Sequence, residues 1–129
     1  MISLSSGDYS YNAEELPSQL VSDESAAPYW ADLVLNPDQG HGIWWSYVDG
    51  MVYVEWICTS SLDHQKECPA YWHFQSTFDT TAPNLVTYHY YEIGDDVIPS
   101  TIGVQEDTSC KLLTDTCPAL AGWVKWFEC

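Results

Sequence analysis

Arginine is absent from this chain of 129 residues, and lysine occurs only as Lys66, Lys111 and Lys125. Against these stand 19 Asp and Glu, for a formal charge of −16. Neutralising phosphates takes clustered Lys or Arg, so nucleic acid and anionic membrane surfaces are not expected partners. Without arginine there is no bidentate clamp for phosphate or carboxylate substrates. No run of 18 apolar residues occurs, so no spanning helix is expected. CxxC pairs, a GxSxG elbow, glycine-rich phosphate loops and a DxDxDG calcium loop are all missing. Asn12, Asn36 and Asn84 each fail the Asn-x-Ser/Thr pattern, so N-glycosylation is not expected.

What is present is aromatic. Hydrophobic residues make up 46% and Phe, Trp and Tyr 15%, with seven Trp and nine Tyr, which excludes disorder throughout. The length fits one domain with a real core. Residues 1–27, rich in Ser, Glu and Asp, read as an extended N-terminal arm in which Pro17 interrupts the one helical turn open to residues 13–21. Residues 28–129 then read as a single β domain.

The strongest local signal spans residues 43–58. Asp49-Gly50 between two β-rich runs predicts a two-residue hairpin loop, which sets Val48 opposite Met51, Tyr47 opposite Val52, Trp45 opposite Val54 and Ile43 opposite Trp56. Ile43, Trp45, Tyr47, Val52, Val54, Trp56 and Cys58 then share an apolar face expected to be core. Trp44, Ser46, Val48, Met51, Tyr53, Glu55 and Ile57 share a mixed face expected to be half exposed. Further strands are expected at 29–35, 71–78, 85–93 and 122–128. Another fits 96–104, where Pro99 directs it to an edge or a bulge. A short helical turn fits 109–116. The fold class expected is all-β: an antiparallel sandwich or small barrel of about six or seven short strands.

The cysteines are Cys58, Cys68, Cys110, Cys117 and Cys129. Their spacing defines two short loops, read as disulfides Cys58–Cys68 and Cys110–Cys117 in an oxidising compartment, each contributing about 2–3 kcal/mol. Other pairings are open, because sequence does not fix connectivity. Cys129 is then left as a free thiol or as a bridge between protomers of a homodimer. The first five residues carry neither a basic start nor a hydrophobic run. Secretion is therefore inferred from cysteines, tryptophan content and acidity.

For chemistry, Glu55 and Glu92 are the only acids that the strand pattern places as a glycosidase pair, and solvated surface acids are the plainer reading. His41, His64, His73 and His89 read as polar surface residues. His73 and His89, on neighbouring strands, could approach each other without completing a metal site. No catalytic set, metal or cofactor is expected. Trp44 with Tyr53, and one of Trp123 or Trp126, are expected to be exposed, where rings beside acids suit sugar stacking or a protein interface. Trp45, Trp56 and Trp72 belong on the core face. Residues 59–67, carrying Lys66, could serve a proteinase inhibitor as a rigid loop.

The run VEWIC, the acidic loop TSSLDHQKEC, the strand YWHFQSTF and the later pair Cys110 and Cys117 resemble the Alt a 1 family of small secreted fungal proteins, over roughly residues 43–117. The resemblance implies an all-β barrel locked by two disulfides, with an extra cysteine able to join two protomers. The family's bridging cysteine lies early in the chain, whereas Cys129 is last. More broadly the chain is similar to secreted fungal effectors or elicitors, which implies an extracellular binder of a host protein or cell-wall glycan rather than an enzyme. A carbohydrate-binding module is the alternative, and a proteinase inhibitor a further one.

Overall fold

The computed structural model describes residues 1–3, 12–16, 18–20, 24–60, 71–94, 98–106 and 124–128; residues 60, 83, 84, 106 and 124–128 are described by backbone alone. The fold is all-β, with curled antiparallel sheets. Its strands are β1 (Ile2–Ser3), β2 (Glu24–Trp30), β3 (Leu33–Val34), β4 (Gly42–Val48), β5 (Met51–Ser60), β6 (Tyr71–Asp79), β7 (Ala82–Glu92), β8 (Thr101–Glu106) and β9 (Val124–Glu128). The described residues group into two compact units, one from 1–32 and 98–106, the other from 33–94 and 124–128.

The first unit is a three-stranded sheet in the order β1-β2-β8. Its β2–β8 register shifts between Ala27 and Trp30, where Pro28 has no N–H to give the ladder. Leu16, Ala27 and Trp30 are buried together, with Met1 and Ala13 packed on them. Residues 12–16 and 18–20 hold no strand but are tied down. The buried Gln105 side chain accepts from the Ser18 N–H at 2.8 Å and donates to the Ser18 carbonyl at 3.1 Å. One amide thereby satisfies two backbone groups that strand pairing would otherwise serve. The Thr101 hydroxyl donates to the Glu14 carbonyl at 2.6 Å.

The second unit is a six-stranded sheet in the order β3-β5-β6-β7-β9, with β4 also pairing β5. The hairpin register is as expected at every position named above, and Asp49 (φ 50) and Gly50 (φ 84) supply the positive dihedrals its turn requires. Trp56, Cys58, Trp72, Phe74, Val86, Tyr88 and Tyr90 are buried on one side of the sheet. Trp56 stacks on Phe74 at 5.3 Å between ring centroids.

Four expectations are corrected. Trp45 is 76% exposed, and Ile43 and Tyr47 are exposed with it. Alternation put them on the same side as Trp56, but β4 pairs only with β5, and no described element follows it outward. The run 29–35 is not one strand: β2 ends at Trp30 in one sheet and β3 begins at Leu33 in the other. His41 is buried rather than superficial, its Nδ1 accepting the Asn36 N–H at 3.2 Å. The strand foreseen at 96–104 begins only at Thr101 and lies at the end of its sheet's order. The helical turn placed at 109–116 lies outside the described residues, as do residues 61–67 of the loop 59–67 carrying Lys66.

Candidate functional site

Strand register builds the site. β4–β5 pairing sets Trp44 opposite Glu55 and Ser46 opposite Tyr53. β5–β6 pairing continues the rows, with Glu55 opposite Gln75 and Tyr53 opposite Thr77. Side chains of one parity therefore gather on the face away from Trp56 and Phe74. There Trp44, Ser46, Tyr53, Glu55 and Gln75, joined at the strand margin by Trp45 of the opposite parity, line an open groove of about 340 Å³. Trp44 folds back over Gly42, where a Cβ would stand 2.8 Å from its ring, so the glycine makes room for the indole.

Glu55 is held in place. Its Oε1 lies 2.6 Å from His73 Nε2, and its Oε2 accepts from the Gln75 amide at 3.3 Å. Gln75 Oε1 in turn accepts from the Tyr91 hydroxyl at 3.4 Å. The Tyr91 ring leans on the His73 imidazole at 4.5 Å between centroids. Burial, and then the negative charge of Glu55, pushes the Tyr91 phenol above its ordinary value. The Glu55 side chain stays 33% exposed. A carboxylate offers about four acceptor positions, so two contacts leave it able to accept more.

The structure thus brings together Trp44, Tyr53 and Glu55 and adds His73, Gln75 and Tyr91, which no motif announced. The signal was available: 71–78 alternates with His73 and Gln75 on one side, and pairing β6 against β5 aligns them with Glu55. Glu92 is exposed near the end of β7, opposite His73 in register, and does not line the groove. His89 falls opposite Gln75, so His73 and His89 are not directly paired. Among the described residues no group of three or more His, Cys, Asp or Glu is placed to hold a metal.

Trp126 stands on β9 opposite Thr87; Trp123 lies outside the described residues. Cys58 is a free thiol, 1% exposed, its Sγ 3.8 Å from the Trp72 carbonyl. Burial pushes that thiol up to about 12. Cys68, Cys110, Cys117 and Cys129 lie outside the described residues.

Chemically, the groove offers two indole rings and a phenol ring, an oriented carboxylate, an amide and a hydroxyl. These are the elements of a stacking and hydrogen-bonding surface. No family model, characterised protein or solved structure matches the chain.

Proposed function

We propose that the protein is a secreted binding protein of the fungal effector or elicitor type, with no catalysis, and that its partner is a cell-wall glycan taken by the β4–β5–β6 groove. The observation that supports this is the open row Trp44–Glu55–Gln75 beside Tyr53. A pyranose stacks its apolar face on an aromatic ring, and its hydroxyls need the acceptors and donors beside it. Among the described residues Glu55 is the one acid lining the groove, and it is already engaged by His73 and Gln75. That favours recognition over a hydrolase's two-carboxylate arrangement.

The reading carries extracellular localisation with it. In that oxidising compartment each thiol pair, Cys58 with Cys68 and Cys110 with Cys117, gives two electrons and two protons to an extracellular oxidant and forms a disulfide, and Cys129 or the uncharged strand β4 provides for a homodimer. Intact mass under non-reducing conditions, with and without alkylation, checks the disulfides. Five alkylated thiols in never-reduced protein would remove the secreted reading.

Binding is tested by tryptophan fluorescence against soluble chitin, β-glucan and xylan oligomers. One of these is expected to shift emission and to lose at least tenfold in affinity, about 1.4 kcal/mol, in Trp44→Ala or Tyr53→Ala. No response to any glycan, or full affinity in both variants, overturns the reading.

A further inference from the structure

We infer that the groove selects a glycan bearing free amino groups, a glucosamine-type polymer, over neutral or acidic polysaccharides; this rests on the glycan reading above and specifies its ligand.

Three observations carry it. The first is the composition of the groove, where the Glu55 carboxylate stands in one row with the Trp44 indole and next to Tyr53. Rings beside a carboxylate form a site for a cation, because the ring face and the anion both attract positive charge. A glucosamine unit meets both halves at once: its C–H face lies on an indole while its ammonium reaches the carboxylate.

The second is orientation. His73 and Gln75 fix Glu55 from the β6 side, and the side chain stays 33% exposed. The acceptor is preorganised yet still reachable, so a ligand cation spends little in ordering it. Among the described residues the lining contains no lysine to compete for Glu55.

The third is charge on a larger scale. With −16 overall and no arginine, the chain draws a polycation toward its surface and repels a polyuronate. A neutral glycan gains nothing from this field. An N-acetylated unit keeps the stacking surface but loses the positive charge, which isolates the contribution of Glu55.

The alternative cation is a lysine side chain of a basic protein. An extended lysine peptide presents a thin alkyl stem, whereas a sugar presents a flat face matched to the rings, so the open aromatic groove favours the sugar.

The native protein is titrated with glucosamine tetramer, N-acetylglucosamine tetramer and tetralysine, in mildly acidic buffer at low and at high salt, following tryptophan emission. The glucosamine tetramer is expected to bind about tenfold tighter than its acetylated counterpart at low salt. High salt should narrow that ratio. Glu55→Gln should bring the two sugars within about twofold of each other, since it keeps the shape and removes the charge.

Equal or tighter binding of the acetylated tetramer overturns the inference while leaving the glycan reading intact. Tetralysine binding as tightly as the amino sugar also overturns it, and assigns the groove to a protein partner. Failure of all three to bind overturns it as well; a response to glucan or xylan would then still uphold the glycan reading, whereas silence from every glycan removes both.

Discussion

Cys58 shows how one buried side chain couples folding to pH. Its Sγ is packed under β6, near the Trp72 carbonyl, and burial raises the thiol from 9.0 to about 12. In the reduced protein the unfolded chain gives up this proton above pH 9.0 while the native chain keeps it. The stability linked to this proton is therefore complete below that pH and is lost as pH climbs toward 12, at a limiting slope of about 1.4 kcal/mol per pH unit. Denaturant midpoints of reduced protein should fall more steeply between these limits than those of Cys58→Ala. Parallel curves would mean that the thiol ionises freely in the fold. The burial of this residue was legible in the sequence, since the hairpin alternation put Cys58 on the core face with Trp56; its proposed partner Cys68 lies outside the described residues.

Among the elements, the β4–β5 hairpin is the one that sequence specifies most closely. A two-residue loop admits one register, and Asp-Gly is among the few pairs that tolerate positive φ at both positions. Gly50 also ties this turn to the next one, since its carbonyl accepts from both the N–H and the hydroxyl of Thr80 at 2.9 and 2.8 Å. A Cβ at Gly50 would meet only ordinary contact, 3.5 Å from the Thr80 hydroxyl. The cost of Gly50→Ala is therefore conformational, expected at about 1 kcal/mol, with Gly50→Asn milder. Urea unfolding checks this, and an alanine variant as stable as the parent would contradict the left-handed backbone.

What the hairpin pattern could not reveal is which strand lies at a margin. Trp45 and Trp56 obey the same alternation, yet one is 76% exposed and the other 7%. Alternation records which side chains share a face, and burial also needs another layer over it. The split of 29–35 between two sheets has the same origin, because period-two hydrophobicity does not mark where a chain changes partners. The groove was half legible. Trp44, Tyr53 and Glu55 follow from the hairpin alone, while His73, Gln75 and Tyr91 join them only through the β5–β6 and β6–β7 registers, which are set by long-range pairing.

On the scale of the whole molecule, charge and the exposed strand oppose each other. β4 is apolar on both faces, with Ile43, Trp44, Trp45, Tyr47 and Val48 exposed and no charged residue between Gly42 and Val48. Among the described residues nothing pairs its outer edge, and an uncharged strand at a sheet margin invites a second strand. Two copies at −16 each repel one another at neutral pH. Acidification weakens that repulsion, because it lowers the net negative charge of a chain with 19 Asp and Glu. Association should therefore be tighter at about pH 5 than at about pH 8, and added salt should raise it at the higher pH by screening the same repulsion. Trp45→Lys, which places a charge on the margin, should reduce association at both. Sedimentation across a concentration series reads all of these, and identical distributions at the two pH values would show that the strand margin does not drive self-association.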